Sequence, residues 1–338
     1  MIGATVRRLR LLPAVLVAVS LVLAGCGGDD DQTDENSPQE IAGGSTLDST
    51  WPLTGLPVEG DDSAAQPYPV MVTKIDNTES SSPQLGLGSA DMVVEELVEG
   101  GVTRLAAFFY SDIPKTVGPV RSMRASDVGI VSPVQAAIVT SGAAAQTIAR
   151  IQGAHIPFYG EGADGTYRDN SRSAPYNLFA NLTQVPPANR KHEESRPDDY
   201  LPWGDAKDLP KGVKANTIAA NFGNHTTNWK YSGGHYTNVN TFAAQGDEFS
   251  ADNVLVLKVQ VGLAGYRDPA GFPVPETKFE GKGEAMLFSD GRMVKATWNK
   301  NGLDGPISLT TKQGDLKVPA GHTWIELVPA KNGNVSFK

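Results

Sequence analysis

Residues 68–110 read YPVMVTKIDNTESSSPQLGLGSADMVVEELVEGGVTRLAAFFY, and this stretch decides the fold class. Its first eight residues, Tyr68 to Ile75, are short, apolar and β-branched, as a buried strand requires, and Asp76-Asn77 breaks them. Ala90 to Gly100 mixes an apolar run with four acids and suits either strand or helix. Thr103 to Tyr110 reads as a strand entered through the Gly100-Gly101 turn. Beyond it, Ala125 to Ile130 and Val134 to Thr140 are parted by Ser132-Pro133, which suits a helix followed by a strand, and Gln146 to Ile151 reads as a short helix. Such alternation predicts an α/β N-terminal domain.

Further along, the composition changes. Gln184 to Lys214 carries five prolines and twelve charged residues, the signature of a linker or a long surface loop. Trp229 to Tyr231, Asn253 to Val261 (NVLVLKVQV), Gly283 to Phe288 (GEAMLF), Met293 to Trp298 and Thr323 to Val328 (TWIELV) then have strand composition. Ser289-Asp290-Gly291-Arg292 is a hairpin signal. The expected fold is therefore α+β. A mixed α/β domain at 51–183 is followed by a linker at 184–212 and a smaller, mostly antiparallel β-rich domain at 213–338. Trp229, Trp298 and Trp324 are spaced as core and cross-strand packing.

The N-terminus carries an address. Arg7, Arg8 and Arg10 precede Leu11 to Ala24, an apolar run of fourteen residues, too short to span a bilayer and right for a secretory signal. Leu23-Ala24-Gly25-Cys26 resembles the bacterial lipobox. That resemblance implies cleavage after residue 25 and a lipid, palmitate among its acyl chains, on Cys26. The expected location is the extracytoplasmic face of the cell membrane. Two acyl chains hold a protein where one binds only marginally. Cys26 is the sole cysteine, so the mature body has no thiol for a disulfide, a zinc site or a Cys/His pair.

Formal net charge is −9, and loss of the three signal arginines leaves 26 basic against 38 acidic residues. Seven acids and no base lie between Gly27 and Thr50, so residues 26–50 form an acidic, self-repelling tether. The body from Trp51 is thus only mildly acidic. Nucleic-acid binding lacks its basic footprint.

Chemistry-bearing residues concentrate in the N-terminal domain. Asp76, Asn77, Gln84, Glu95, Glu99, Arg104, Arg121, Ser122 and Arg124 are candidates for ligand binding. Several of them sit at strand ends, where open sheets place their crevices. Arg121 and Arg124, three apart near a helix start, suit a fork for carboxylate or phosphate. An ion-pair network with Glu95, Glu96 or Glu99 is the structural alternative. Arg168, Arg172 and Asn177, among the aromatics of YRDNSRSAPYNLF (167–179), suit a polar, sugar-like or peptide ligand, or a loop closing the domain. Glu95 and Glu99 at i,i+4 would share a helix face as a carboxylate pair. The five scattered histidines give no metal spacing, and Ser122 has no nucleophile elbow. No catalytic residue, metal or cofactor is assigned.

Several stretches stand out as a set: Pro52-Leu-Thr-Gly-Leu-Pro57, Asp76-Asn77, Pro83-Gln84-x-Gly86-Leu87, Glu99-Gly100-Gly101-x-Thr103-Arg104, Gly118-Pro119-Val120-Arg121-Ser122-x-Arg124, Pro175-x-Asn177-Leu178, Asp290-Gly291 and Gly321-x-Thr323-Trp324-Ile325-Glu326. Together they resemble the YerB-type bacterial lipoproteins, built from a two-part domain of unknown function. The likeness spans nearly all of the chain from Trp51 and implies the same two-part fold. It implies no reaction. Where that family's pattern has Pro-His-Asn-Leu, this chain has Tyr176. The residues and the resemblance point to an anchored binding or accessory protein of the cell envelope, its partner a cell-wall glycan or peptide or an envelope protein. The alternative is an envelope hydrolase or transferase using Asp76, Glu95 or Glu99 as acid/base.

Overall fold

Three seven-residue strands, 71–77, 103–109 and 323–329, are buried along their whole length. The computed structural model describes residues 49–60, 64–189, 195–269 and 271–338. The signal, Cys26 and nearly all of the acidic tether lie outside the described residues. In chain order the first half forms β1 (Met71–Asn77), β2 (Met92–Leu97), β3 (Thr103–Phe109), α1 (Asp127–Val131), β4 (Ala137–Val139), α2 (Ala145–Gly153) and β5 (Phe158–Tyr159). A hairpin of β6 (Thr166–Arg168) and β7 (Leu178–Ala180) follows, then α3 (Pro186–Asn189) and β8 (Trp203–Gly204).

The second half begins with β9 (Val213–Lys214), β10 (Thr217–Asn221), β11 (Thr226–Ser232), β12 (His235–Asn238) and β13 (Ser250–Ala251). Longer strands follow: β14 (Asn253–Arg267), β15 (Pro273–Lys278), β16 (Gly281–Ser289), β17 (Arg292–Lys300) and β18 (Ile307–Thr311). The chain ends with β19 (Gly314–Asp315), β20 (Val318–Pro319), β21 (Thr323–Pro329) and β22 (Asn334–Phe337).

One sheet runs through both halves in the order β19-β18-β17-β16-β14-β21-β2-β3-β1-β4-β5. Its joint is β21, parallel to β14 on one side and to β2 on the other. The segments read as two domains therefore meet within a single sheet, and the described residues fall in one compact unit. The strands from β14 to β19 are antiparallel neighbours as expected, apart from β21. A second sheet, β13-β12-β11-β10-β22, lies against one face of the first.

Two-residue alternation divides the core between the faces. On one side Val72, Val94, Ala106, Phe108, Ile325 and Leu327 pack with Ile130, Val131 and Ile151 of the helices. On the other, Ile75, Val93, Leu105, Phe109 and Trp324 pack with Ile218, Trp229 and Tyr236 of the second sheet. All three tryptophans read as core are buried.

The helical share is smaller than the α/β reading expects. Among the described residues α1 has five residues and α2 nine. Pro133 stops the first, since a proline ring cannot continue a helix. The segment between β3 and α1 stays extended, its backbone bonded to β1 and β7 through Arg121 N to Lys74 O and Val120 N to Leu178 O. The fold is thus mostly strands with few helices. The stretch 90–100 resolves as strand β2, and Ser289-Asp290-Gly291-Arg292 closes a two-residue hairpin with Asp290 and Gly291 both at positive φ. Within the proline-rich stretch, Tyr200 and Leu201 are buried, and Tyr200 donates to Ile130 O at 2.9 Å, so this part packs as a strap across the helical face.

A sheet shared by both halves predicts that they unfold together. Ile325→Ala in β21 is expected to cost about 2–5 kcal/mol, with far-UV dichroism and tryptophan fluorescence still tracing one transition. Two separated transitions would contradict the shared sheet.

Candidate functional site

The same alternation sorts the polar candidates. Lys74 and Asp76 of β1, Glu96 of β2 and Arg104 of β3 share a face with Val72, Val94 and Ala106; Asn77 and Glu95 point to the opposite side. One stretch of sequence thus builds two unlike sites.

On the helical side, Lys74 is fully buried and donates to Glu96 Oε1 at 2.8 Å and Asp127 Oδ1 at 2.7 Å. Ser126 donates to the other Glu96 oxygen, and the Arg124 amide donates to Asp127 Oδ2 at 2.6 Å. Burial works against the Lys74 ammonium, yet the two carboxylates outweigh it and hold its pKa above the usual lysine value. Asp127 is raised, first by burial and then by Glu96 against the pull of Lys74. This triad fastens the start of α1 to the sheet.

Above it opens a cleft of about 620 Å³, lined by Asp76, Glu99, Arg104, Arg121, Ser122, Arg124, Ser141 and Tyr176. Arg121 Nε pairs with Asp76 Oδ2 at 2.9 Å, and its guanidinium lies 5.2 Å from the Tyr176 ring centre. Arg124 places Nε and Nη2 on Glu99 Oε2 at 3.0 and 2.6 Å. Among the described residues Arg104 forms no salt bridge, though Asp76 and Glu96 flank it in register: Nη1 donates to Ser122 O at 2.8 Å, and its buried Nε meets no acceptor. Burial, then the neighbouring Arg124 and Arg121, bring its pKa down to about 10, so it still carries its charge at neutral pH. The tip of the β14–β15 ribbon closes one side with Tyr266, Arg267, Asp268 and Pro269. Tyr266 and Thr147 hydroxyls bond at 2.7 Å, and Arg150 pairs with Glu276 at 2.9 Å, which docks the ribbon on α2.

The segment carrying Arg121 and Arg124 is aimed by its backbone. Gly118 sits at φ 150°, and a Cβ there would come within 2.8 Å of the Phe179 ring, so only glycine lets the chain pass β7 at this point.

On the opposite face Glu95 and Glu326 are register partners on β2 and β21, both fully buried. Glu95 accepts from Asn77 Nδ2 at 3.1 Å, Thr227 Oγ1 at 2.9 Å and Trp324 Nε1 at 3.3 Å, and His225 Nε2 lies 3.2 Å away. Trp229 Nε1 donates to Glu326 Oε1 at 2.8 Å, whereas Oε2 finds no donor among the described residues. Glu95 is the neighbouring carboxyl that a protonated Glu326 would donate to. Burial, then the charge of Glu95, pushes Glu326 well above the usual carboxylate range. For Glu95 burial is outweighed by the bond and charge of His225 and by hydroxyl donors, and its pKa falls. The two carboxyls therefore hold one proton between them.

Of the sequence candidates, Asp76, Glu99, Arg104, Arg121, Ser122 and Arg124 meet in the cleft. Asn77 and Glu95 lie across the sheet from it. Gln84 is buried, donating to Asp76 O at 2.7 Å and Asn77 Oδ1 at 3.2 Å. Arg168 is held by Glu161 at 2.6 Å and by Asn177 Oδ1 at 2.5 Å, and Arg172 donates to Pro83 O at 2.7 Å while stacking on Phe179. These three brace the 167–179 loop outside the cleft, and Tyr176 is the residue it contributes. The ion-pair reading of the arginines holds for Arg121 and Arg124, with Asp76 and Glu99 as partners; Glu95 and Glu96 are engaged elsewhere. Glu95 and Glu99 form no carboxylate pair, because residues 92–97 are strand.

Sequence reasoning missed Glu326, His225, Asp127 and the ribbon tip. A lone acid inside the apolar run TWIELV was the available signal for Glu326, as Lys74 was within YPVMVTKI.

Two family models match the chain: "Protein of unknown function (DUF3048) N-terminal domain" over residues 53–195 and its C-terminal counterpart over 214–325. The chain is 26% identical over 298 residues to the Bacillus subtilis (strain 168) protein named "Putative lipoprotein YerB", covering 82% of this chain and 86% of that one. The crystal structure of the YerB protein from Bacillus subtilis superposes with a TM-score of 0.69 at 22% identity, over 85% of this chain and 99% of that one. The chain belongs to this family.

Two outcomes test the buried groups. Lys74→Met strands Glu96 and Asp127 and is expected to cost about 3–5 kcal/mol in denaturant unfolding; a near-neutral result would contradict the triad. Glu326 keeps its proton in the fold and loses it near 4.5 when unfolded, so it makes stability fall as pH rises above that value. Glu326→Gln removes the titration. Its melting temperature should decline less than the native protein's between about pH 5 and pH 8, and an equal decline would sink the shared-proton account.

Proposed function

We propose that this member of the family is a lipid-anchored protein of the extracytoplasmic membrane face that binds a polar envelope ligand in the arginine cleft. The relative's name as a lipoprotein and the Leu23-Ala24-Gly25-Cys26 sequence support the anchor. Among the described residues no helix is long and apolar enough to cross a membrane. From Cys26 the acidic tether of about 24 residues reaches up to roughly 80 Å, enough to place the body within the wall zone.

The observation that carries the binding reading is Arg104, a buried guanidinium at the cleft wall that forms no salt bridge among the described residues, although Asp76 and Glu96 are its register partners and each is engaged by another cation. Around it Arg121 and Arg124 are each neutralised by one carboxylate, so the wall keeps an uncompensated positive charge. Buried charges are ordinarily paired. A cleft that leaves one open in an otherwise acidic protein suits a ligand that brings the missing negative charge. The hydroxyls of Ser122 and Ser141, 3.2 Å apart, and the Tyr176 ring supply the polar and stacking surface that a glycan or peptide uses.

The acid/base alternative draws less support from this geometry. Asp76 and Glu99 are each held by an arginine, and Glu95 is sealed under Trp324 and Thr227 away from the cleft.

Arg121 is the partly exposed member of the trio. Arg121→Ala should abolish co-sedimentation with purified cell walls while melting stays within a few degrees of the native protein. Unchanged sedimentation, or loss of fold, would count against the cleft as the binding site. Cys26→Ser should move the protein from the membrane fraction into the medium, and unchanged detergent-phase partitioning would remove the anchor.

A further inference from the structure

The ligand's charged group follows from how the cleft's donors are arranged, on the reading that the cleft is a binding site. Arg104 is only 7% exposed, and among the described residues its Nε has no acceptor. A buried donor left without a partner is destabilising, and because Arg104 lines the cleft, a small turn of its side chain would bring that donor to a bound anion. Arg121 meets Asp76 through Nε, leaving its terminal nitrogens without a protein acceptor among the described residues. Arg124 approaches from the same segment and Arg104 from β3, so the guanidinium groups converge from two elements and more than one direction.

A carboxylate is planar and is satisfied by one guanidinium fork. A phosphoryl group carries its oxygens on a tetrahedron and accepts from donors on several sides. The cleft is also larger than a free phosphate needs. Its roughly 620 Å³ lies in the range of sites that enclose a sizeable ligand. Hydroxyl-bearing walls extend to either side, with Ser122, Ser141 and Tyr176 toward the first half of the chain and Tyr266 on the ribbon tip. Charge agrees: Arg104, Arg121, Arg124 and Arg267 face Asp76, Glu99 and Asp268, a wall with one surplus positive charge. A phosphodiester brings one negative charge and continues on both sides into alcohol-derived groups.

We propose that the cleft binds a phosphodiester flanked by polyol or sugar, with Arg104 and Arg121 as its principal donors and the 266–269 ribbon tip as its outer wall. That chemistry has two sources in an envelope, a wall polymer and a lipid headgroup. Because the body acts at the end of a tether, both are within reach.

Titration calorimetry on the full chain carrying Cys26→Ser tests the proposal with four probes: a glycerol-phosphate oligomer, monomeric dihexanoylphosphatidylglycerol, inorganic phosphate and poly-glutamate. The expected result is binding of at least one phosphodiester, tighter than phosphate or poly-glutamate and weakened about tenfold or more by Arg104→Gln and by Arg121→Gln. Binding of the oligomer over the lipid assigns a wall polymer, and the reverse order assigns a headgroup. Arg104→Gln tests the buried donor, and Arg121→Gln keeps the test intact should that variant misfold. Poly-glutamate bound as tightly as the diesters would overturn the phosphodiester inference. So would silence from every phosphate probe while Arg121→Ala still abolishes wall sedimentation, an outcome that leaves the binding reading standing. Diester binding untouched by both substitutions would overturn the site itself.

Discussion

Strand β21 is the member on which the rest of the architecture depends. It enters between β2 and β14 late in the chain and is parallel to both, so neither half has a complete sheet without it. Parallel pairing between strands distant in sequence carries a large chain-closure cost. Here it is offset by burial on both faces, Ile325 and Leu327 on one side and Trp324 and Val328 on the other. At Glu326 the strand also presents a carboxyl to Glu95 at the same register. Two ionised carboxylates cannot share that space, so the joint closes around a retained proton and the two indole donors Trp229 and Trp324.

That joint leaves the opposite face free to do something else. Because side chains alternate, the neighbours Glu95 and Glu96 serve different ends, the first sealing β21 and the second fastening Lys74 and α1. Fixing α1 in turn fixes the 118–124 segment, whose arginines line the cleft with Arg104 of the adjacent strand. The buried Glu95–Glu326 pair and the cleft-facing arginines are thus separated by the thickness of one sheet. The cleft is also where the two halves cooperate: β1, β3 and the 118–124 segment form its floor, and the β14–β15 ribbon supplies a wall.

Much of this was legible from residues alone. Strands at 103–110, 253–261 and 323–328 follow from their β-branched, apolar runs, and the Asp290-Gly291 hairpin from its turn chemistry; the run at 68–75 is also a strand, but it continues through Asp76-Asn77, expected as a break, because both pair in register with Arg104 and Thr103 of β3. The grouping of Arg104 and Arg121 to Arg124 with Asp76 and Glu99 was legible as well. What was hidden is long-range. Nothing local in TWIELV says that it inserts beside ADMVVEEL, so the buried carboxyl pair and the continuity of the sheet stayed out of view. The stretch 90–100 was ambiguous because fully buried strands lose their alternation of apolar and polar residues. Arg168, Arg172 and Asn177 looked like ligand groups because loop arginines with aromatics suit that role equally well. Their use as braces depends on Glu161, Pro83 and Phe179, which only folding brings near.

On the proposed reading, Arg104 is a buried cation without a salt bridge among the described residues, and an anion in the cleft completes it. Guanidinium proton–nitrogen correlation NMR observes its Nε–H directly. A glycerol-phosphate oligomer is expected to move the Arg104 Nε–H signal strongly downfield and slow its solvent exchange, with smaller shifts at Arg121 and Arg124. An Arg104 signal that stays in place while the oligomer perturbs residues outside the cleft would contradict it.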